Sequence, residues 1–329
     1  MAMGKIAMLK FLSEKRHARD AEQDHRVYAQ LPELIKLQFQ AKGFSFLPKQ
    51  PARSLLTGRH SSKLRGRGLN FEELRHYRSG DDIRTMDWKV TNRTRKPHVR
   101  VYTEERERNV MLFVDMRISM FFGSEQRMKS VAAAEAAALA AWRIIAVGDR
   151  VGAVIFNDDE IINITPARSR TTVLQILSKL ADFSQRLRAG QRANPGQLNT
   201  ALKTLSRNLS HDALVISVGD GAGWNKGTTD RIKKIAQHND IIAIKVFDRA
   251  EEQLPAIDQL IVSDGQLQVE IRGKRLDLRE RFQQTYDQQL GMIRHELKKH
   301  AIPVIDINTN DTVQSQLVVA LGGVGRRGR

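Results

Sequence analysis

Two aspartates and a serine are the residues of this sequence best placed to do chemistry. Asp115 closes the apolar run Val110–Val114, in Val114-Asp115-Met116-Arg117-Ile118-Ser119-Met120, and Asp220 follows the apolar run Ala213–Val218, in Gly219-Asp220-Gly221. Carboxylates and a hydroxyl that converge supply hard oxygen ligands, the kind Mg²⁺ accepts together with water. The same residue types at strand ends also cap helices and stabilise turns, and both readings stand at this point. A metal-dependent hydrolase using Asp115 and Asp220 would need a further carboxylate or a histidine, and Asp158 and Asp159 are the obvious candidates. The histidines show no paired ligand spacing, and no nucleophile elbow, Walker loop or HExxH motif occurs.

A second constellation lies upstream, in Phe71–Glu107. It combines Gly80-Asp81-Asp82, Arg84, Asp87-Trp88-Lys89 and Arg93. A solvated face has no need of the tryptophan, and a core strand would not carry so many charges. Arg75, Arg84, Lys89 and Arg93 could engage an acidic partner or phosphates, with Trp88 as an interface anchor. Alternatively, Trp88 packs inward while Asp81, Asp82, Arg84 and Asp87 form an internal ion network, which is costly unless fully paired.

The elements that must position these residues are read from hydrophobic patterning. Val27, Leu31, Leu34, Ile35 and Leu37 give an amphipathic helical face within a mostly helical stretch 1–50, and Pro51–Asn70 reads as an extended loop. Phe71–Tyr77 reads as a short helix and Val99–Thr103 as a strand. From Asn109 onward, buried β-runs alternate with helices. Strands are predicted at Asn109–Asp115, Val151–Phe156, Ala213–Val218, Ile241–Val246 and Pro303–Ile307, with an edge strand at Ile161–Thr165 and a small hairpin within Gln259–Ile271. Helices fall between them, including the Ala-rich Arg127–Ala146 and the long Leu276–Lys299. Such alternation implies an α/β fold, a doubly wound and mostly parallel sheet covered on both faces. The implied division is an N-terminal helical and extended module over 1–108 and the α/β domain over 109–329. In doubly wound sheets the carboxyl ends of the strands carry the ligand crevice, which places Asp115 and Asp220 on one edge. Met116, Met120, Phe121 and Phe122 sit near that edge, where a hydrophobic rim would suit protein docking and core packing is the alternative.

Composition bounds the function classes. The 329 residues carry a net charge of +17, and cysteine is absent, which excludes disulfides and thiolate metal sites. Residues 51–110 hold 15 Lys and Arg against 8 Asp and Glu. A basic surface attracts acidic partners in general, so a basic nucleic-acid-binding protein is one reading; charge alone is not specific. No apolar run approaches the ~20 residues needed to span a bilayer, and Met1–Leu12 lacks the apolar stretch of a signal peptide. A cytoplasmic protein is expected.

The dense segment, together with the Val-Asp-Met-Arg-Ile-Ser-Met run of residues 114–120, resembles the domain of unknown function 58 family, whose members carry a von Willebrand factor A-like domain. The matching features are Gly66-Arg67-Gly68, Phe71-Glu72-Glu73-Leu74-Arg75, Tyr77, Gly80-Asp81-Asp82, Arg84, Asp87-Trp88-Lys89, Arg93 and Glu104-Glu105. The similarity covers about residues 50–250. It implies a partner protein for a MoxR-type AAA+ ATPase, with no known catalytic activity. In the A-like fold a metal-ion-dependent adhesion site takes the form Asp-x-Ser-x-Ser, with a Thr on a second loop and an Asp on a third.

The resemblance assigns Asp115 to the first Asp, Ser119 to the second Ser and Asp220 to the third-loop Asp. Arg117 stands at the first Ser, and Gly196 stands in the Thr slot, with Thr200 a turn into the following helix. Two neutral oxygen ligands are thus replaced and a guanidinium added. Like charges repel, so an arginine opposes Mg²⁺, whereas two aspartates attract it; at ~4 Å and an effective dielectric of ~20 each such interaction amounts to about 4 kcal/mol before desolvation. The expectation is that Arg117 replaces the metal as counter-cation for Asp115 or Asp220, and that the protein binds no cofactor. The crevice of Asp115, Arg117, Ser119 and Asp220, with Arg84 and Trp88 upstream, is the expected docking equipment of a non-enzymatic adaptor that assembles or remodels protein complexes.

Overall fold

The computed structural model describes residues 24–46, 69–104, 107–252, 259–263, 268–272 and 276–322. The readings made for Met1–Leu12, for residues 51–68, for Glu105 and for the turn at Asp264-Gly265 lie outside them. The chain divides into two compact units, residues 1–47 together with 108–329, and residues 48–107. The division after residue 107 falls one residue from the expected one, but residues 1–47 group with the α/β unit rather than with the module expected over 1–108. Residues 24–46 belong to the larger unit because their apolar side chains enter its core: Leu34, Ala41, Phe44 and Phe46 are buried there. Within them, helix α1 (Leu31–Lys36) starts with Pro32 in its first turn and is followed by a single 3₁₀ turn; the rest of the mostly helical reading, over residues 1–23 and 47–50, lies outside the described residues.

The smaller unit holds strand β1 (Leu69–His76), helix α2 (Trp88–Thr94) and strand β2 (His98–Glu104). β1 replaces the helix expected at Phe71–Tyr77. It pairs antiparallel with β2, and the register slips between Phe71 and Glu73. That bulge inserts one residue, so the apolar positions Phe71 and Leu74 fall three apart and imitate a helical period. Between the strands, Asp82 caps a 3₁₀ turn by accepting from the Arg84 amide, and Asp87 caps α2 by accepting from Val90 N–H.

In the larger unit, strand β3 (Asn109–Asp115) is buried on both faces. Val110, Leu112 and Val114 enter one core cluster, while Met111 and Phe113 enter another on the opposite face. The elements after it are helix α3 (Lys129–Ala146), strands β4 (Arg150–Phe156) and β5 (Ile161–Ala167), and helices α4 (Arg170–Arg186) and α5 (Gln197–Asn208). Then come β6 (Leu214–Gly219), α6 (Lys226–Ala236), β7 (Asp240–Phe247), the short α7 (Arg249–Glu252), the antiparallel hairpin β8 (Gln259–Ser263) and β9 (Gln268–Arg272), α8 (Leu276–Lys299), β10 (Val304–Asn308) and α9 (Val313–Leu321). The main sheet has six strands in the order β10-β7-β6-β3-β4-β5, parallel except for the edge strand β5. Counted along the sheet's own strands, this is the doubly wound order 3-2-1-4-5-6. Its reversal point lies between β3 and β6, which pair directly.

Helix α3 is buried nearly all round, and its alanines explain how. Methyl side chains let it lie close against β3 while α1 and α4 cover it, a position that a helix of larger side chains could not occupy. Trp142 in its last turns donates its indole N–H to the carbonyl of Leu34, 3.1 Å away, fixing the N-terminal segment to the core. Leu34→Ala should therefore destabilise the larger unit, by about 2–5 kcal/mol for a fully buried leucine. Urea unfolding observed at the tryptophans checks this; a shift near zero would return residues 24–46 to a separate module.

Candidate functional site

β3 and β6 end side by side at the reversal point, and each hands an aspartate to the same edge. Gly219, the last residue of β6, makes the approach feasible: a Cβ there would lie 2.9 Å from the Cβ of Asp115. Gly221 then turns the chain with a φ of +78°, a conformation that glycine adopts without strain.

Each carboxylate already has a cation. The Arg117 guanidinium folds back on Asp115: Nε donates to Oδ1 at 2.9 Å and Nη2 to Oδ2 at 2.5 Å, while the Arg117 backbone amide also donates to Oδ1 at 3.0 Å. Nη2 reaches across to the Ala222 carbonyl at 2.8 Å, and the guanidinium carbon lies 5.6 Å from the Phe156 ring centre. Both side chains are buried. Asp220 accepts from the Ala222 amide at 2.8 Å and from Lys129 Nζ at 3.1 Å. Lys129 also binds Glu251, and its side chain is only 2% exposed. Burial disfavours the charge on Lys129, but Asp220 and Glu251 outweigh it and raise its pKa above the ordinary value. Burial likewise opposes ionisation of Asp220, and Lys129, the Ala222 amide and Arg117 together hold its pKa below the usual 3.8. The buried centre is thus a set of fixed ion pairs in which two cations, Arg117 and Lys129, serve three carboxylates, Asp115, Asp220 and Glu251; at Asp115 and Glu251 burial outweighs the cation and raises the pKa above the ordinary value.

The structure also places the other expected residues. Ser119 lies in the 3₁₀ turn Ile118–Met120, and its buried hydroxyl has no hydrogen-bond partner. Gly196 precedes α5 without making a side-chain cap, and the exposed Thr200 donates back to the Gly196 carbonyl as a helical hydroxyl does. Asp158 accepts from the amides of Ile118 and Asn194 at 2.6 and 2.7 Å and so ties two loops of the edge together. Met116 and Met120 are fully buried in the core, which removes them from the expected rim; Phe122 is 39% exposed at it. Arg84 and Trp88 lie in the smaller unit, apart from this cluster in the chain's division. Trp88 is 60% exposed, which corrects the reading that packs it inward, and among the described residues Arg84 joins no ion pair, while Arg75 pairs with Asp81 and Arg100 with Asp87.

Lys129 escaped the sequence reading, although one signal was available. A lysine at the first position of a helix opposes the helix dipole, so its presence at the head of the long Ala-rich helix α3 calls for a local anionic partner.

These residues do not fit a divalent cation. A metal would have to displace Arg117 from Asp115 and Lys129 from Asp220, and Arg117 and Gly196 bring no oxygen side chain. Among the described residues no three His, Asp or Glu side chains converge as a metal site. Hydrolytic use of the carboxylates meets the same obstacle, and Asp158, the extra carboxylate considered for it, is held by two amides. Beside the ion pairs opens a cleft of about 620 Å³. Ile118, Phe121, Phe122, Leu290 and Ile293 give it apolar walls, while Ser119, Lys129, Asp220 and Glu251 line its polar part.

A six-stranded, mostly parallel sheet with one antiparallel edge strand and an aspartate at or just after the end of each of the two strands at its reversal point defines a doubly wound α/β domain. The chain belongs to the family described as "Protein of unknown function DUF58", which matches residues 73–291. It is similar to an uncharacterized protein of Mycobacterium tuberculosis and to one of Mycobacterium bovis, each 29% identical over 267 residues, covering 80% of this chain and 81% of the relative. Among solved structures it is similar to BatB of Bacteroides thetaiotaomicron, at 12% identity and a TM-score of 0.42, covering 65% of this chain and 97% of that one. An aerotolerance-related membrane protein of Bacteroides fragilis gives 13% identity and a TM-score of 0.40, covering 65% and 98%. No described helix of this chain is long and apolar enough to cross a membrane.

Two outcomes test the electrostatics. Lys129→Met leaves Asp220 and Glu251 buried without their cation and should cost about 3–5 kcal/mol; Asp220→Asn added to it should recover part of that loss in a double-mutant cycle. The pH dependence has a definite sign. Because the folded pKa of Asp220 is depressed, its stabilisation is present above the ordinary aspartate value of 3.8 and is lost as pH falls through the folded value. Acid unfolding of wild type should therefore steepen below about pH 4, and Asp220→Asn should flatten that limb.

Proposed function

We propose that this chain is a non-enzymatic docking protein of the cytoplasm, working with a MoxR-type AAA+ ATPase to assemble or remodel protein complexes. The observation that carries the reading is that fixed protein cations, Arg117 and Lys129, occupy both aspartates of the crevice. An adhesion site with a metal recruits a partner's carboxylate to an open coordination position. A site closed by its own ion pairs has no such position, but it keeps the shape of the edge and leaves the apolar-walled cleft beside it for a partner segment. The ATPase enters through the family resemblance carried by the Gly80-Asp81-Asp82, Arg84 and Asp87-Trp88-Lys89 motif.

In this reading the protein takes no Mg²⁺. Calorimetry with MgCl₂ should give no saturable heat at millimolar metal, and tight binding that disappears in Asp115→Ala would overturn it. Docking is tested with the tagged chain and a MoxR-type ATPase from the same cell. Co-purification is expected, and Phe122→Asp, which places a charge at the mouth of the cleft without touching the ion pairs, should weaken capture about tenfold or more while leaving thermal stability unchanged. Capture unaffected by Phe122→Asp would remove the cleft from the interface.

A further inference from the structure

The smaller unit carries a surface that the crevice does not account for. Asp81, Asp82 and Asp87, the carboxylates of its central turn and helix, are all committed within the unit. Asp81 takes a two-pronged contact from Arg75, at 2.8 and 2.7 Å, and one from the Arg78 amide. Asp82 caps the 3₁₀ turn, and Asp87 both caps α2 and accepts from Arg100 at 2.9 Å. The surplus cations Arg84, Lys89, Arg93, Arg95 and Lys96 are exposed, and their side chains form no ion pair with a carboxylate among the described residues. In the same short stretch Ile83 and Trp88 are each 60% exposed. Trp88 is the first residue of α2, and its helix is fixed by a cap that is itself anchored through Arg100. An exposed tryptophan on a braced backbone loses little freedom when it is covered, which is the property of a preorganised anchor.

We infer that this exposed stretch of the smaller unit, with Ile83 and Trp88 among arginines and lysines that have no ion-pair partner among the described residues, docks an acidic protein segment that carries an apolar side chain between carboxylates. Charge complementarity selects the acidic partner. The chemistry favours a protein over single-stranded nucleic acid, because stacking platforms for bases use successive aromatic rings, whereas the other exposed large apolar side chains described in this unit, Leu74 and Ile83, are aliphatic. The inference stands apart from the crevice reading and does not need it.

The test must separate this face from the general attraction of a chain with a net charge of +17. Nonspecific attraction is indifferent to a neutral substitution, so the readout is the ratio between wild type and Trp88→Ala, measured by fluorescence anisotropy on the full chain. The ligand is a labelled peptide with one leucine flanked by glutamates; a glutamate-only peptide, a poly-dT oligonucleotide and phosphatidylserine–phosphatidylcholine vesicles are the comparisons. The leucine peptide should lose about tenfold or more in affinity with Trp88→Ala and similarly with Lys89→Glu combined with Arg93→Glu, and Phe122→Asp should leave it unchanged. Circular dichroism is expected to match wild type, since all three side chains are exposed. Equal binding of the leucine peptide to wild type and Trp88→Ala would overturn the proposal. So would a Trp88-dependent preference for poly-dT or for vesicles, which would reassign the face to nucleic acid or to a lipid surface.

Discussion

The constraint on which the larger unit depends is the pairing of buried carboxylates with the protein's own cations at the point where its sheet reverses direction. Two parallel strands end together there, and each brings a carboxylate into a space from which water is largely excluded. A lone ionised carboxylate in such a place is costly, and a pair is worse. Arg117 resolves the first, from two residues along the same chain, and Lys129 the second, from the head of α3. The Ala-rich composition of α3 belongs to the same solution, since only a helix of small side chains approaches β3 closely enough to deliver its first residue to Asp220.

This arrangement explains how two carboxylates can converge at a strand edge without making an ion site. An ion site needs carboxylates that are convergent and unpaired, with neutral oxygens completing the shell. Here convergence is kept and the remaining conditions are not: guanidinium and ammonium groups occupy the carboxylate oxygens, and a glycine stands where a hydroxyl is expected. Ser119 is the residue the ion pairs leave out. Its hydroxyl is buried and unpartnered, a small standing cost in a position where a ligand shell would have used it.

Much of the fold was legible because the determining signals are local. The apolar runs of β3, β4, β6 and β7 are long, and the helices between them keep a clear period, so the order and type of these elements could be read directly. Asp115 and Asp220 were legible as strand-end residues. Legibility failed where one element depends on another. Lys129 acts 91 residues from Asp220, and its place at the head of α3 calls for an anion without saying which one. β1 was masked by a bulge that shifts its alternation into a helical spacing. Trp88 could be assigned inward or outward with equal force from sequence, because its surroundings are charged in either case, and only the pairing of Asp81 and Asp87 with Arg75 and Arg100 decides it.

The tie between Trp142 and Leu34 joins residues 108 positions apart, and the whole smaller unit lies in the chain between them. During synthesis, Leu34, Phe44 and Phe46 must therefore wait uncovered until α3 has left the ribosome, an interval of about 5–20 s at ordinary elongation rates. The smaller unit, by contrast, has all its strands and its helix available well before that moment. The order of emergence thus favours an early-folding insert held between two unfinished parts of its host. A nascent chain of this protein would be most exposed to aggregation, and most in need of a holding chaperone, in that interval rather than at either end of translation.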